Sequence, residues 1–246
     1  MKIPNTILII CCLFFFSSSQ ISAQDACCGY GSLLQSGLFG GYGFQQFNAA
    51  GLNNYLDYYN ELTGLNFDEF GNAWGWRIGA NIIQIKQLDW LIGVKLYYQS
   101  VAETQDQDGY YLGEAATQEL ELEITSWGFG MSLSYDLNNN FDIRVLDALM
   151  TITDVGFTST IKAPNAPNPD EYLSVTGDIG FTADAGLVWY PLPPYVSLEI
   201  LGGYSWFSME DVRDDEFEAF PTESEDFIDG GGFFAVVVLS VGTTFD

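Results

Sequence analysis

The sequence predicts an all-β chain that forms a closed antiparallel eight-stranded up-and-down transmembrane β-barrel. Three observations predict it. Hydrophobic residues make up 48% of the 246 residues and aromatic residues 16%. After the first segment, apolar residues mostly alternate with polar residues or glycine, as they do in strands. The alternating runs number eight, and their connections are alternately long and short, which is typical of a membrane barrel.

The composition excludes several classes of function. Seven basic residues stand against 33 acidic residues, a formal charge of −26 that would repel nucleic-acid phosphates. The chain has no histidine, so mechanisms that need an imidazole base or ligand are excluded. An aromatic-rich chain of this kind is not expected to be disordered.

Residues 1–23 are expected to be a signal peptide. Lys2 supplies a positive start, and residues 7–16 form an apolar run that is too short to span a bilayer. Small residues before Gln24 place the cleavage there, so the chain is expected to be exported. Residues 24–35 are then an N-terminal periplasmic segment.

Two cysteines, Cys27 and Cys28, remain after this cleavage and meet an oxidising compartment. Adjacent cysteines rarely pair with each other, because the ring that they close is strained. A structural tether, an intermolecular disulfide and no role at all stay open as alternatives.

The barrel is predicted to cover residues 36–246. Its eight strands are predicted at 36–47, 71–85, 90–104, 118–137, 141–162, 173–190, 195–209 and 230–245. The long connection 48–70 carries apolar residues at helical spacing, which predicts a short amphipathic helix. With Tyr55, Tyr58, Tyr59 and Phe67, that segment is expected to cap the barrel or to contact a partner; packing onto its own barrel is the simpler account.

Most strands have one apolar face, predicted to meet lipid, and one face of polar residues or glycine, predicted to point inward. In strand six, Phe181 and Leu187 lie on the apolar face and Thr182 on the other. Strand four changes phase, which predicts a bulge near Ser126. Strand five slips phase within 147–154, and its facing stays open.

The inward set is predicted to form a charge network inside the barrel. Its residues are Arg77, Lys95, Glu121, Glu123, Asp184 and Glu199, with Arg144 and Asp142 as further candidates. Opposite charges are expected to pair there, because a buried unpaired charge is costly. The network is interpreted either as a gated ion path or as a static plug that fixes the strand register, and the plug is favoured.

The tryptophans lie near predicted strand ends, where indole rings favour the membrane–water interface. They are Trp74, Trp76, Trp90, Trp127, Trp189 and Trp206, and together they predict an interface girdle. The alternative is that all six are core residues of a soluble protein.

Two acidic segments are candidate cation sites. Carboxylates are the ligands that Ca²⁺ and Mg²⁺ prefer, and the candidates are Asp106, Asp108, Asp211, Asp214 and Asp215. The alternative for loop 210–229 is a solvated segment kept extended by repulsion. Bound divalent cations would also link these carboxylates to lipopolysaccharide phosphates. No other cofactor is expected.

The signal peptide, the eight alternating strands and a last strand with Val237, Leu239, Val241 and Phe245 resemble the small outer-membrane barrels of the OmpA/OmpX type. In that class the assembly machinery is understood to read such a C-terminal strand. The acidic loops and aromatic-rich strands also resemble barrels from Bacteroidota. Enzymatic barrels of this membrane rely on a histidine, so the resemblance carries no activity over.

The predicted function is a non-enzymatic outer-membrane barrel that is a structural or accessory subunit of an envelope complex. Its expected partners are outer-membrane lipid, lipopolysaccharide, the barrel assembly machinery and an envelope protein complex. The alternatives are a narrow channel for ions or small solutes, a surface adhesin or receptor, and a soluble lipocalin-like barrel with an apolar interior.

Overall fold

The computed structural model describes residues 34–164, 166–174, 177–193, 195–210, 212–213, 220 and 226–245. The elements within them are β1 (Leu34–Phe47), α1 (Ala50–Thr63), β2 (Asn72–Gln87), β3 (Trp90–Tyr111), β4 (Glu114–Asn138), β5 (Phe141–Lys162), β6 (Asp170–Ser174), β7 (Asp178–Leu192), β8 (Val196–Trp206), β9 (Val212–Arg213) and β10 (Gly231–Phe245). The predicted signal peptide, Cys27, Cys28 and most of loop 210–229 lie outside the described residues.

Eight long strands form a closed ring. They pair antiparallel in the order β1, β2, β3, β4, β5, β7, β8 and β10, and β10 pairs with β1 from Leu34↔Phe245 to Phe47↔Gly231. The predicted closed eight-stranded barrel is therefore confirmed. Closure pairs the backbone groups that the edge strands of an open sheet would expose.

The short connections, near residues 88–89, 139–140 and 193–195, lie at one end of the barrel, which we call the turn end. The opposite end carries α1, β6, β9, the described part of 207–230 and the far ends of β3, β4 and β5, which together we call the cap. Among the described residues, no helix is long and apolar enough to cross a lipid bilayer.

The predicted strands 90–104 and 118–137 leave residues 105–117 as a long loop, and that prediction is wrong. β3 and β4 stay paired without a register shift from Trp90↔Tyr135 to Tyr111↔Glu114. They turn at Leu112 and Gly113, whose φ angles are 51° and 86°. Positive φ at both central residues is typical of a two-residue hairpin turn. The polar residues before the turn suggested a loop, but they are strand residues whose side chains face water.

Predicted strand six is two strands. β6 pairs with Gly156–Ser159 of β5 and with β9, whereas β7 pairs with residues 141–153 of β5. β6 and β7 both pair with β5, so inward and outward side chains keep the same alternation on either side of the break. The sequence pattern therefore does not reveal that the strand is interrupted.

Near the turn end, the outer face of the barrel wall is apolar, and the buried charged side chains lie inside. A smaller apolar cluster lies inside with them, formed by Phe39, Tyr97, Leu149, Leu201, Phe234, Val236 and Val238. Ile92, Met131 and Leu187 are exposed on the outer face, whereas Lys95, Ser132 and Glu199 are buried inside. This confirms the predicted facing of strands 71–85, 90–104, 173–190, 195–209 and 230–245.

On the cap side of Ser126, in the residues that precede it in β4, the polarity of the two faces is reversed. Leu122 and Ile124 are fully buried inside, while Glu121 and Glu123 are exposed outside. The predicted bulge near Ser126 is wrong, because the pairing of β4 with both β3 and β5 continues there without a shift. The phase change in the sequence marks a change of surroundings: the interior becomes apolar where the cap begins.

β5 does contain a bulge, just before the predicted range. Its pairing with β7 shifts between Arg144 and Asp147, and Val145 and Leu146 are both exposed on the outer face. The extra residue brings Arg144 and Asp147 to the same inner face.

The cap has its own apolar core. Its buried residues are Phe47, Ala49, Leu52, Leu56, Phe67, Phe70, Ala73, Val101, Leu120, Leu122, Ile124, Val155, Phe157, Phe207, Met209, Val212, Phe220, Phe227 and Ile228. Phe220 lies centrally, with its ring 5.4 Å from that of Phe157 and 5.1 Å from that of Phe227. Such edge-to-face contacts add to the free energy gained by burial.

Helix α1 confirms the predicted helix and packs onto its own barrel. Leu52 and Leu56 face the cap core, and the Tyr59 hydroxyl donates to Gln118 Oε1 on β4 at 2.7 Å. Asn53 bonds both backbone groups of Phe70, so the segment after the helix is tied back onto it. Burial raises the pKa of the neighbouring Tyr55 hydroxyl, which keeps that side chain neutral.

We expect Leu122→Ala to weaken the cap, since it removes a fully buried side chain from the cap core. The loss should be about 2–5 kcal/mol. Leu62→Ala on the exposed face of α1 is the matched control and should change stability by less than about 0.5 kcal/mol. Limited proteolysis of the cap at rising urea concentrations measures the difference. Equal resistance of the two variants would contradict the assignment of this core.

Candidate functional site

The candidate site is a cluster of charged side chains inside the turn-end half of the barrel. Arg77 comes from β2, Lys95 from β3, Asp184 from β7 and Glu199 from β8, while β5 supplies Arg144 and Asp147. All six are buried, Asp147 completely. We call them the lumen cluster. Five strands contribute to it, because every strand of an eight-stranded barrel faces the same narrow interior.

A chain of ion pairs crosses the interior. Lys95 Nζ lies 2.5 Å from Asp147 Oδ2 and 4.0 Å from a Glu199 oxygen. Arg144 Nη2 lies 2.9 Å from Glu199 Oε2, and its Nη1 lies 3.5 Å from Asp147 Oδ1. Ser240 completes the surroundings of Glu199 by donating to Oε1 at 2.9 Å. These contacts connect β3, β5, β8 and β10 through side chains alone.

Arg77 has neutral partners instead. Its Nε and Nη2 donate to Gln99 Oε1 at 2.8 and 2.6 Å, and Gln99 donates in turn to Gln45 Oε1 at 2.6 Å. The guanidinium carbon lies 4.3 Å from the centre of the Tyr97 ring and 4.9 Å from that of Phe234. Cation–π contact and hydrogen bonding to an amide therefore stabilise this charge.

The turn-end mouth of the barrel is narrow. Tyr190 donates to Asp142 Oδ2 at 2.8 Å, and Lys86 pairs with Asp136 at the rim. The cavity beside Arg144 and Glu199 has a volume of about 30 Å³, which is room for about one water molecule.

Asp184 differs from the other members of the lumen cluster. It is 3% exposed, and neither carboxylate oxygen has a hydrogen-bond partner among the described residues. It lies directly opposite Asp147 in the pairing of β5 with β7. A buried carboxylate without a donor is costly in free energy.

Two predicted members of the network, Glu121 and Glu123, do not lie inside the barrel. Both are exposed on the outer face of β4, where Glu123 accepts a hydrogen bond from Ser100. They lie on the same face of β4 that carries apolar residues such as Phe129 and Met131 nearer the turn end. The structure places Arg77, Lys95, Asp184 and Glu199 in the lumen, together with the further candidates Asp142 and Arg144.

The sequence interpretation missed Asp147, which has the central position among the ion pairs. In a regular strand, Asp147 would lie on the outer face with Phe141 and Ile143. Only the bulge at Val145 and Leu146 turns its side chain to the inside. Two adjacent apolar residues, followed by alternation on the opposite parity, were the available signal.

All six tryptophans of the predicted girdle are exposed on the outer wall. Near the cap, Tyr98 contacts Trp76 and Trp127 with ring centres 5.3 and 4.9 Å apart. At the turn end, the Trp90 ring lies 5.1 Å from that of Tyr135. The wall thus carries aromatic rings toward both borders of its apolar part, as membrane barrels do.

The candidate cation ligands do not assemble in the described residues, where no three acidic or other metal-binding side chains gather. Asp106 and Asp108 are exposed strand residues, and Asp108 accepts a hydrogen bond from Thr117. Asp211, Asp214 and Asp215 lie outside the described residues.

No protein-family model matches the chain, and no curated protein matches its sequence. Among solved structures, it is similar to Ail, the attachment invasion locus protein of Yersinia pestis, at 12% identity and a TM-score of 0.39, over 86% of this chain and 98% of that chain. It is also similar to the outer membrane protease OmpT from Escherichia coli, at 10% identity and a TM-score of 0.37, over 89% of this chain and 99% of that chain. A third similar structure is a major outer membrane protein from Thermus thermophilus, at 12% identity and a TM-score of 0.42, over 84% of this chain and 99% of that chain.

The barrel architecture that the resemblance implied is confirmed by this chain's own strand pairing and ring closure. Because the identities are at most 12% and the TM-scores lie below 0.5, no residue role follows from these proteins. The chain's own strand pairing and ring closure make it a closed, antiparallel, eight-stranded β-barrel.

Lys95→Met should destabilise the barrel strongly, because it leaves the fully buried Asp147 without its closest cation. Removing one partner of a buried pair costs about 3–5 kcal/mol. Lys162→Met breaks a solvent-exposed pair with Glu119 and should cost at most about 1 kcal/mol. The midpoint temperature of the heat-induced band shift in gel electrophoresis compares the two variants with wild type, and Lys95→Met should lower it far more than Lys162→Met.

The double variant Lys95→Met, Asp147→Leu is the informative companion. It removes both charges at once, so most of the lost stability should return. If the double variant is as unstable as Lys95→Met alone, the ion pair is not the cause of the effect.

Proposed function

We propose that this chain is a bacterial outer-membrane barrel without catalytic or conducting activity, a structural or accessory subunit of an envelope complex that carries a folded cap outside the bilayer. One observation carries the proposal: the outer wall is an apolar band, bordered by aromatic rings, and beyond its cap-side border the polarity of the wall reverses.

The apolar band has the dimensions that a membrane requires. On β4 the outward residues from Trp127 to Tyr135 span eight residue steps, about 26 Å along the strand. With the usual strand tilt of about 40°, the band is about 20 Å tall, somewhat less than the band of about 25 Å on outer-membrane barrels. A soluble lipocalin-like barrel needs the opposite arrangement, with its polar face outside.

The filled interior supports a static plug over a channel. The ion-paired lumen cluster occupies the barrel beside a mouth cavity of about 30 Å³. On the other side of it, the cap places an apolar core between the interior and the outside. An ion passing through would have to separate buried ion pairs and then cross this core, and both steps are costly.

The absence of histidine and the pairing of the interior charges favour a non-enzymatic role. Lys95, Arg144, Asp147 and Glu199 are held in buried ion pairs, which leaves them poorly placed to act on a substrate. Catalytic groups generally need access to a pocket.

A second candidate function is binding of a partner by the cap. Tyr110 and Leu112, at the tip of the β3–β4 hairpin, are 84% and 85% exposed. An exposed aromatic side chain of this kind can anchor an interface, which is compatible with an accessory subunit as well as with a surface receptor.

Insertion of the wall into a membrane is tested by introducing arginine at two positions on the outer face of β4. Met131→Arg puts a charge at the middle of the apolar band and should cost about 2–4 kcal/mol when the protein folds into lipid vesicles. Glu121→Arg lies beyond the band and should leave folding unchanged. Equal effects of the two variants would contradict insertion of this wall into a bilayer.

Conduction is tested in planar bilayers with the folded full-length protein. We expect no stepwise current, and wild type and Lys95→Met should be compared under the same voltage. A reproducible single-channel current in wild type would make the channel alternative the better account.

A further inference from the structure

The buried charges of the barrel interior do not balance. Among the described residues, the buried charged side chains are Arg77, Lys95 and Arg144 on the basic side and Asp142, Asp147, Asp184 and Glu199 on the acidic side. With every group ionised, three positive charges face four negative ones, so the interior carries a formal charge of −1. In surroundings of low dielectric constant, such an excess has to be neutralised.

Asp142, at the turn-end mouth, accepts a hydrogen bond from Tyr190. Within the described part of the chain, Asp184 is therefore the buried acid that has neither a donor nor a basic partner, since the basic groups are engaged elsewhere. Lys95 and Arg144 hold Asp147 and Glu199, and Arg77 is hydrogen-bonded to Gln99. Neither oxygen of Asp184 receives a hydrogen bond from the described residues, although the residue is almost completely removed from solvent.

The neighbouring strand supplies no donor. In the pairing of β7 with β8, Asp184 lies opposite Gly203. A Cβ atom at Gly203 would stand only 2.6 Å from the Cβ atom of Asp184, so a larger side chain does not fit there without rearrangement. On the other side, β5 presents the carboxylate of Asp147.

We propose that the barrel interior binds one small monovalent cation, such as Na⁺, between the carboxylates of Asp184 and Asp147. The two residues are direct cross-strand neighbours, and Asp147 Oδ1 also lacks a hydrogen bond, although Arg144 Nη1 lies 3.5 Å away. Carboxylate oxygens are hard ligands that suit such an ion. A single positive charge cancels the formal excess, whereas a divalent ion would reverse it.

The Asp147–Asp184 pair explains why a cation is required there. Like charges directly opposite each other on paired strands repel and destabilise the sheet. A cation between them converts that repulsion into a bridge between β5 and β7, next to the bulge that brings Asp147 inside.

The test compares the thermal midpoint of the refolded full-length protein in NaCl and in choline chloride of equal ionic strength at pH 8. Choline is too large for the interior, and equal ionic strength keeps the screening of surface charges the same. A ligand that binds only the folded state raises its midpoint, so wild type should melt at least ~3 °C higher in NaCl.

Asp184→Asn removes the charge and keeps the shape of the side chain. It should lose the difference between the two salts and should melt in choline chloride at or above the wild-type temperature. Glu121→Gln, on the exposed outer face, should keep the full difference. If wild type melts at the same temperature in both salts, the proposal is overturned, and Asp184 is either protonated or hydrogen-bonded to water. A difference that survives in Asp184→Asn also overturns it, by locating the cation elsewhere. Neither result depends on where the barrel resides in the cell.

Discussion

The long strands of this barrel pass through two kinds of surroundings, the turn-end half and the cap, while their backbone hydrogen bonding continues without interruption. On β4 the backbone pairing and the inward parity do not change, yet the inside changes from polar to apolar and the outside from apolar to acidic beyond Ser126. The closed ring makes this reversal tolerable, because the backbone groups remain paired on both sides of it. The apolar outer band, the charged lumen and the apolar cap core are all consequences of where that reversal falls.

The lumen cluster acts as a set of side-chain connections between strands that are not neighbours. Lys95 on β3 contacts Asp147 on β5, and Arg144 on β5 contacts Glu199 on β8. Buried ion pairs contribute little net free energy, since desolvation offsets the attraction. Their contribution here is to registry: a strand shifted by one residue would place these charges on the apolar outer wall.

The sequence predicts the parts of this architecture that depend on local alternation alone. The eight strands of the ring, the turns at the turn end and the facing of the strands that stay within one kind of surroundings all follow from period-two patterns and turn residues. Glu121 and Glu123 were assigned to the wrong surroundings because alternation indicates which residues share a face, but not which solvent that face meets. A solvent change along β4 and a bulge produce the same signature in the sequence.

Other features depended on contacts between distant residues. Asp147 enters the lumen only through the bulge in β5, and the partners that stabilise it come from β3 and from the other side of that bulge. The hairpin beyond Gln105 was hidden because acidic side chains in a water-exposed strand have the composition of a loop. The cap core could not be predicted as a unit, since it gathers residues from Phe47 to Ile228.

The pairing of β1 with β10 has a kinetic meaning beyond the static fold. Leu34 meets Phe245, so the contact that closes the ring joins residues at the two extremes of the described chain. The other strand pairs of the ring join ring strands that follow one another along the chain, so each can form as soon as its second strand is present. The pairing of β1 with β10, the seam of the ring, cannot form until the last strand is present. Contacts of such long sequence separation slow folding, and until they form β1 and β10 present two open edges. The seam is therefore the stage at which an unfinished barrel is most exposed to pairing with the wrong strand.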